Sequence, residues 1–367
     1  MEEINYKDYG VTSISGRYIT YDHIDEFLNS LPVTFKTEVV GRSVRGEAIK
    51  SVVFGNGPKR ILMWSQMHGN ESTTTKAVLD LFNFMNQESM EASKIWNACT
   101  IKIIPILNPD GARDFTRINA NEIDLNRDAQ NLSQPESKVL KKVYEDFTPD
   151  FCYNLHDQRT IFNVGTTHKP ATVSFLAPAF DEDRNNSPSR KLSMQLIAAM
   201  NSKLQEEIPG QVGRYDDGFN ANCVGDAFQM KGTPTILFEA GHYYNDYDRD
   251  VTRVYIFKAL VKSLLTIKDN EITDYTVDQY LSIPENGKQF VDIGVYNIDF
   301  ENNGLTSAEF TPIQYKEVLK NGKVEFVPMV HVFDKEPPEV FAHKSLNCND
   351  ENDVKWLREN DILKLLS

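Results

Sequence analysis

The sequence has 367 residues, of which 40% are hydrophobic and 25% charged, and a formal net charge of −14 at neutral pH. This length and composition predict a globular protein with one large α/β domain and a further, smaller unit. The acidic balance argues against nucleic acid or an anionic membrane as a partner, since both require a basic face.

The cysteines and the N-terminus bear on the cellular compartment of the protein. The four cysteines are scattered, without a Cys-x-x-Cys pair, so neither a disulfide framework nor a thiolate metal site is indicated. The N-terminus lacks the basic start and apolar core of a signal peptide, and no run reaches about 18 uninterrupted apolar residues. These features predict a soluble, cytoplasmic protein, and they leave its oligomeric state open.

The first two thirds of the chain alternate between strand and helix patterns. Short apolar runs bounded by glycine or proline favour buried strands, and apolar residues at helical spacing favour helices. The alternation predicts an α/β fold: a mixed, mostly parallel sheet with helices on both faces. The predicted elements are a helix at 22–28, strands at 35–40, 48–54 and 60–67, a helix at 72–85, a strand at 100–107, a tight turn at 108–111, a helix at 135–147, a strand at 149–156, a helix at 190–207, a strand at 233–239 and a helix at 250–265.

From about residue 269 the sequence favours β-structure. Asn-Gly pairs at 286–287, 303–304 and 321–322 are turn signals. They separate β-prone segments such as 290–296 and 323–333. We therefore expect a small β-rich appendage.

This change from alternating strands and helices to β-prone segments suggests two domains. We place an α/β domain at 1–268 and a small β-rich C-terminal domain at 269–367, closed by a short helix at 354–366. The C-terminal part shows no evident catalytic or metal-binding pattern. We expect His331 and His343 to be structural or surface residues.

Ionisable residues stand where three predicted strands end. His68 and Glu71 lie three positions apart at a strand-to-helix junction, so they can bind one metal ion together. His156 and Glu239 are the last residues of two later strands. In open parallel sheets, ligands bind beyond the carboxyl ends of the strands. A catalytic zinc ion uses imidazole and carboxylate ligands and keeps one coordination position open for water.

The order and spacing of these motifs resemble the zinc carboxypeptidase family, the carboxypeptidase A and B type of metallopeptidase, over about residues 38–265. The resemblance implies the family's fold and one Zn²⁺ ion per chain. The matching segments are residues 41–46, 68–71, 108–111, Arg117, 124–127, His156 and Glu239.

The resemblance also implies roles for individual residues. Glu239 corresponds to the general base, which takes a proton from water and delivers it to the leaving amine. Arg117 corresponds to the arginine that offsets charge on the scissile carbonyl oxygen, with Arg113 as a nearby alternative. The implied zinc ligands are His68, Glu71 and His156, a set that leaves the open position needed for hydrolysis.

Substrate and supporting residues follow from the same resemblance. Asn126 and Arg127 match the residues that hold the terminal carboxylate, for which a guanidinium is well shaped. Asp124 matches a carboxylate that accepts the other ring N–H of the first histidine ligand, His68, and so fixes its tautomer. Asp157, next to His156, receives no assignment.

The chain departs from the family pattern at three places, one of which is Glu122, where the family often has glycine. The family's mobile active-site tyrosine has no clear counterpart, because Tyr215 lies slightly early and Phe219 lacks a hydroxyl group; Tyr215 is kept as a candidate. Asp128 stands where the family often has asparagine, and a carboxylate there would disfavour an acidic ligand. We expect the floor of the specificity pocket near Gly225 and Asp226.

Three functions are compatible with these features. The first is a metallocarboxypeptidase that hydrolyses the last bond of a peptide with a free C-terminus, through a zinc-bound water and a glutamate base. The second is an N-acyl amino acid deacylase, of the desuccinylase or aspartoacylase kind, and the turn at 108–111 with Arg117 favours the peptidase over it. The third is an inactive module that binds peptide termini, against which the retention of Glu239 with all three ligands argues. The side chain removed and the size of the substrate, up to a cell-wall peptide, stay open.

Overall fold

The computed structural model describes residues 5–87, 89–298, 308–333, 337 and 339–366. Within these ranges, no helix is long and apolar enough to cross a lipid bilayer. The strands are β1 (Lys36–Arg42), β2 (Ala48–Gly55), β3 (Lys59–Ser65), β4 (Cys99–Ile104), β5 (Phe151–Asp157), β6 (Asn163–Val164), β7 (Val173–Leu176), β8 (Val212–Arg214), β9 (Thr235–Ala240), β10 (Asn286–Gly287), β11 (Phe290–Ile298), β12 (Ala308–Lys320), β13 (Lys323–Val330) and β14 (Phe341–Asn347). The α-helices are α1 (Tyr21–Ser30), α2 (Thr73–Met85), α3 (Met90–Ala98), α4 (Pro109–Asp114), α5 (Pro135–Phe147), α6 (Pro188–Leu204), α7 (Val224–Met230), α8 (Asp250–Asp269), α9 (Val277–Leu281) and α10 (Glu351–Glu359).

The largest sheet has eight strands in the order β1-β2-β4-β3-β5-β9-β7-β8. Its four central strands, β4, β3, β5 and β9, run parallel. The antiparallel β1-β2 pair extends one edge, and β7 runs antiparallel to β9 at the other. This arrangement confirms the predicted mixed, mostly parallel sheet.

Successive residues of β3 pack on opposite faces of this sheet. Ile61 and Met63 belong to the larger apolar core, which also takes residues from α2, α6 and α8. Leu62 and Trp64 belong to a second core with residues of α5 and α7. A strand covered on both sides reads as an unbroken apolar run. The prediction of helices on both faces is therefore confirmed.

Several boundaries differ from the prediction for local reasons. β3 ends at Ser65 because Gln66 adopts a positive φ of 44°. β4 ends at Ile104, directly before Pro105, which cannot donate to the ladder. The tight turn predicted at 108–111 is wrong, since this segment begins α4 with the Asn108 side chain accepting the Gly111 N–H at 2.9 Å.

The C-terminal strands form a separate sheet in the order β13-β12-β11-β14, with its own apolar core. The predicted turn at Asn321 and Gly322 is confirmed: both have positive φ, 52° and 73°, and they join β12 to β13. The turn predicted at Asn286–Gly287 is wrong, because these residues form β10 and pair with β6. The Asn-Gly pair at 303–304 lies outside the described residues. The predicted terminal helix is divided into α10 and a short 3-10 turn at Leu363–Leu365.

The boundary predicted after residue 268 falls at the end of α8. Tyr280 and Ile283, beyond this boundary, are buried in the larger core. The C-terminal sheet also contacts the α/β unit, as in the Tyr247 hydroxyl bond to Asp292 at 2.9 Å. The division into two domains stays a prediction.

A buried ion pair fastens the N-terminal segment to the α/β unit. Arg253 of α8 lies 2.5 Å from Asp80 of α2, and both side chains are almost fully buried. The same guanidinium donates to the carbonyls of Ile14 at 2.6 Å and Val11 at 3.0 Å. Asp80 in turn accepts the Val11 N–H at 2.7 Å. The pair is thus satisfied on both sides by main-chain groups.

We expect Arg253→Met to lower the free energy of unfolding by about 3–5 kcal/mol, because it leaves the Asp80 carboxylate buried without its partner. Denaturant unfolding, followed by circular dichroism, measures this loss. The double variant with Asp80→Asn should lose less than the sum of the two single variants. Strictly additive losses would contradict the coupling.

A buried histidine, His242, and a half-buried one, His343, meet where the C-terminal sheet packs on the α/β unit. The ring centroids of His242 and His343 lie 4.1 Å apart, and His343 stacks on Phe290 at 4.2 Å. His343 Nε2 lies 2.8 Å from the Thr160 carbonyl and so carries the proton. Burial lowers the pKa of His343 to about 4, and burial with the neighbouring His343 holds the pKa of His242 well below its usual range. Both rings are therefore neutral at pH 7.

This burial predicts acid sensitivity. Because the pKa of His343 is about 4 in the folded state and about 6.5 when unfolded, its contribution to stability is complete above pH 6.5 and is lost as the pH falls towards 4. Between pH 7 and pH 5 the wild type should lose about 2 kcal/mol more unfolding free energy than His343→Gln. Denaturant unfolding at both pH values tests this, with the exposed His168→Gln as control. Equal losses in wild type and His343→Gln would refute it.

Candidate active site

Three side chains converge beyond the carboxyl ends of β3 and β5. Glu71 Oε1 lies 2.8 Å from His68 Nδ1, and Glu71 Oε2 lies 2.7 Å from His156 Nδ1. The two Nδ1 atoms are 3.0 Å apart. All three side chains are buried, and the structure therefore brings the predicted ligands together.

These residues fit a zinc ion. Two imidazole nitrogens and one carboxylate are a ligand set used by catalytic zinc, with one position left open. Bonds of about 2.0–2.1 Å in a tetrahedron separate ligand atoms by about 3.3 Å, and the ligand atoms here lie within 4.8 Å of one another. Burial alone would raise the pKa of Glu71, but His68 and His156 outweigh it and hold this pKa well below its usual range. The carboxylate is therefore ionised and able to bind a cation.

A tightly held loop positions His68 and Glu71. Gln66 donates from Nε2 to the carbonyls of Ile19 at 3.0 Å and Gly69 at 2.8 Å. A side chain at Gly69 would place its Cβ 1.9 Å from the Gly111 carbonyl carbon, so only glycine permits this approach. The loop is thus fixed on both sides before any metal binds.

Asp157, which the sequence left unassigned, links β5 to α2. Its carboxylate accepts the main-chain N–H groups of Thr73 at 2.9 Å and Thr74 at 3.3 Å, at the N-terminus of α2. Its own N–H donates to Glu71 Oε2 at 3.2 Å. Asp157 therefore sets the position of His156 relative to Glu71. Sequence reasoning missed this role because the partners lie more than eighty residues apart.

Asp124 and Arg117 support the same centre. Asp124 Oδ1 lies 3.0 Å from His68 Nε2 and Asp124 Oδ2 lies 3.1 Å from Arg117 Nε. Arg117 Nη1 reaches Glu71 Oε1 at 3.3 Å. Burial opposes ionisation of Asp124, but His68 and Arg117 hold its pKa below the usual range. A carboxylate at Nε2 leaves the His68 Nδ1 lone pair directed at the centre.

The alternative arginine lies elsewhere. Arg113 is exposed and pairs with Asp22 at 3.1 Å and Glu47 at 3.4 Å. Arg117 is thus the arginine of the two that contacts a predicted metal ligand.

Glu239 lies on β9 in register with His156 on β5. The residue keeps some contact with solvent, but its Oε2 atom is buried and has no hydrogen-bond partner within the described residues. Burial, then the charges of Glu71 and Asp157, raise the pKa of Glu239 well above its usual range. A carboxylate with a raised pKa beside a metal site is suited to accept a proton.

Asn126 and Arg127 form a short turn at the edge of the site. Asn126 Oδ1 accepts the Val224 N–H at 3.1 Å, which ties the turn to the start of α7. Arg127 is exposed, and its Nη1 donates to the Asn126 carbonyl at 2.8 Å. The Arg127 guanidinium makes no ion pair within the described ranges, so it is available to a ligand.

Two buried acidic residues near this turn, Asp128 and Asp226, differ in their hydrogen bonds and in the direction of their pKa shifts. Asp128 is buried and accepts the N–H groups of Ser133 and Gln134, both at 2.9 Å. Burial opposes its ionisation, but these hydrogen bonds hold the pKa of Asp128 below the usual range, so the carboxylate keeps its charge. The expectation that it would disfavour an acidic ligand stays a prediction. Asp226 is buried in the first turn of α7, accepts the Asn220 N–H at 3.4 Å, and burial raises its pKa to about 6.

Tyr215 follows β8 and lies near the predicted catalytic residues. Its N–H donates to the Phe175 carbonyl at 3.0 Å, and its ring packs on Phe162 with centroids 5.3 Å apart. Burial, followed by the charges of Glu239 and Glu71, raises its pKa far above the usual range. The charges of both carboxylates therefore act on the Tyr215 hydroxyl group. Tyr215 stays a candidate for the active-site tyrosine.

A cavity of about 690 Å³ opens beside Glu71 and Arg117. Part of its wall belongs to the C-terminal sheet, including Asp292 of β11, Glu317 of β12 and Phe326 of β13. The C-terminal sheet thus borders the space next to Glu71, a predicted metal ligand. Sequence reasoning assigned it no such place, because nothing in a local pattern shows where a distant sheet packs.

We expect Asp124→Asn to weaken zinc binding by about 10–100-fold, since the amide cannot hold His68 as the carboxylate does. Competition against a chromogenic chelator measures the affinity. Asp183→Asn, at an exposed position, is the control. An unchanged affinity in Asp124→Asn would show that Asp124 does not support the metal site.

Comparison with known proteins agrees with this geometry. The chain is 28% identical to "Probable carboxypeptidase 2" of Trichophyton verrucosum over 201 residues, which cover 53% of this chain and 36% of that protein. The structure of a putative carboxypeptidase A from Shewanella denitrificans aligns with a TM-score of 0.56 at 18% identity, over 68% of this chain and 69% of the other. A metallo-carboxypeptidase from Burkholderia cenocepacia aligns with a TM-score of 0.53 at 18% identity, over 68% and 69%. The sequence model described as "Zinc carboxypeptidase" matches residues 20–257. The chain therefore belongs to the zinc carboxypeptidase family.

Proposed function

We propose that this protein is a zinc-dependent metallocarboxypeptidase that removes the C-terminal residue from peptides with a free C-terminus. The observation that carries the proposal is the convergence of three metal-binding side chains, His68, Glu71 and His156, beside Glu239 on the adjoining strand. Membership of the zinc carboxypeptidase family supports it. The curated relative named above is more than twice as long as the matched part of this chain, since the match covers 36% of it.

Glu239 is the proposed general base. A bound zinc ion would act as a Lewis acid that makes water more acidic and polarises the scissile carbonyl. The Glu239 carboxylate would take a proton from the attacking water and pass it to the leaving amine. Its raised pKa supports this role, because a base that retains the proton briefly can also deliver it.

Arg117 and the turn at Asn126 and Arg127 are proposed to orient the substrate. The Arg117 guanidinium, already beside Glu71, would offset negative charge on the carbonyl oxygen. Arg127, exposed and without an ion pair in the described chain, would bind the terminal carboxylate together with the Asn126 side chain. Tyr215 completes the proposed substrate-binding set, and Asp124 is proposed to hold His68 in the tautomer that binds metal.

Mass spectrometry of a mixed substrate pool tests the function. Zinc-loaded protein is incubated with peptides that have free or amidated C-termini and with N-acyl amino acids. We expect single C-terminal residues to be lost from free-ended peptides only. Glu239→Gln should reduce the rate by about 10²–10⁴-fold while it keeps its zinc.

The other outcomes separate the alternatives. Cleavage of N-acyl amino acids alone would identify a deacylase and overturn the proposal. Absence of turnover in every substrate class, with zinc bound, would favour the inactive module that binds peptide termini. A cytoplasmic location stays a prediction from the sequence.

A further inference from the structure

The cavity beside the metal site concentrates positive charge in an acidic protein. The chain carries a net charge of −14, yet five cationic side chains line this one cavity, against four carboxylates. The cations are Arg17, Arg117, Arg159, Arg249 and Lys288, and the carboxylates are Glu71, Asp157, Asp292 and Glu317. The lining thus has an excess of one positive charge (5 − 4), opposite in sign to the chain as a whole, and this sign favours anionic ligands.

The carboxylates of this cavity already have partners within the protein. Glu317 pairs with Arg17 at 3.1 Å. Asp292 accepts the Tyr247 hydroxyl at 2.9 Å and the Tyr315 N–H at 2.7 Å. Asp157 caps α2, and Glu71 belongs to the metal site. Asp157 also lies 4.0 Å from Arg17. Within the described residues, none of the four carboxylates forms an ion pair with Arg249, Arg159 or Lys288.

Arg249 is the most unusual of these cations. Its residue is 1% exposed, and its guanidinium donates to one protein acceptor within the described residues, the Ala240 carbonyl at 2.6 Å. It has no ion-pair partner there, and its Nε atom is buried without an acceptor. Burial, then the nearby Arg17, lowers the pKa of Arg249 to about 10. The charges of Asp157, Glu317 and Asp246 offset this only in part. Since a buried charge is stable only when it is compensated, the position favours a bound anion.

The backbone at Arg249 is strained as well. Its φ is 57°, in the left-handed region that a non-glycine residue rarely adopts, directly before α8. The bonds of Asp246 to the first N–H groups of α8, at 2.9 Å for Asp250, hold this corner in place. Backbone strain held by its surroundings is common at ligand sites.

Two exposed cations, Arg159 and Lys288, also line the cavity. Arg159 follows the metal ligand His156 by three residues, and Lys288 lies between β10 and β11 at the start of the C-terminal sheet. Neither makes an ion pair within the described ranges. The α/β unit and the C-terminal sheet thus each present a cation to the same space.

The position of the cavity defines which part of a substrate it receives. It borders Glu71 and Arg117 but not Asn126 or Arg127, the proposed holders of the terminal carboxylate. A peptide whose last residue lies against Arg127 would therefore direct its preceding residues towards this cavity.

We propose that the cavity between the α/β unit and the C-terminal sheet is an anion-binding site, formed by Arg249, Arg159 and Lys288, for an acidic residue that precedes the cleaved bond. The assignment of this ligand to the substrate rests on the proposed carboxypeptidase function. The class of substrate it selects is a peptide with a carboxylate side chain shortly before its C-terminal residue. The C-terminal sheet then serves as part of the substrate-binding surface.

Calorimetric binding to zinc-loaded Glu239→Gln protein tests this without catalysis. The probes are a pair of N-acetylated, C-terminally amidated dipeptides, acetyl-Glu-Gly-amide and acetyl-Gln-Gly-amide, which lack a terminal carboxylate for Arg127. We expect the glutamate peptide to bind about tenfold more tightly, with the difference shrinking as salt is raised.

Variants locate the site. Arg249→Met should remove most of the preference for the glutamate peptide. Because a buried substitution can fail to fold, the surface double variant Arg159→Gln/Lys288→Gln is measured as well, and it should reduce the preference several-fold. Lys94→Gln, at an exposed position on α3, should leave the preference intact.

The inference is overturned by equal affinity for the two peptides, by the absence of measurable binding of either, or by a preference that survives both the Arg249 and the double variant. No bond is cleaved in this assay. Failure here with C-terminal residues still released from the peptide pool would refute the anion site and leave the carboxypeptidase function standing. A preference for the glutamate peptide without turnover of the pool would support the anion site and contradict the carboxypeptidase function.

Discussion

The carboxylate of Glu71 is the interaction on which the rest of the site depends. It contacts His68, His156 and Arg117, and it also accepts the Asp157 N–H. These partners come from three segments, namely the loop after β3 with His68, the loop with Arg117, and β5 with both His156 and Asp157. One buried group must therefore be ionised for all three segments to keep their positions. The energetic difficulty of burying that charge is offset by the surrounding donors. Glu71 and the two histidines are also the candidate ligands of a metal ion.

The sheet explains why these segments meet. Its parallel centre brings the carboxyl ends of β3, β5 and β9 to one edge. The helix that follows β3 begins at that edge, and Asp157 bonds to its first N–H groups. A strand residue thus completes a helix terminus, and the favourable interaction of a carboxylate with such a terminus adds to the geometry. The hydrogen bonds of Asp157 thus stabilise both the start of α2 and the candidate metal site.

Much of this was accessible from the sequence, and the limits have physical causes. Continuous apolar runs predicted the central strands, and the spacing of His68, Glu71, His156 and Glu239 predicted a candidate metal site. The sequence predicts a turn where helix α4 begins, because Asn108, Pro109 and Gly111 are typical both of a turn and of a capped helix. The roles of Asp157 and Arg249 depend on contacts between distant segments, which no local pattern contains. The wall that the C-terminal sheet contributes was hidden for the same reason.

The hairpin of β12 and β13 carries side chains that border the cavity, including Glu317 and Phe326. The metal-binding residues lie on other stretches, more than 150 positions earlier in the chain. Under the proposed function, the part of the cavity wall formed by this hairpin would therefore be encoded apart from the residues proposed for bond cleavage. Surface loops and hairpins tolerate change better than the core. The range of molecules accepted can accordingly diverge within a lineage while the chemistry at the metal stays constant.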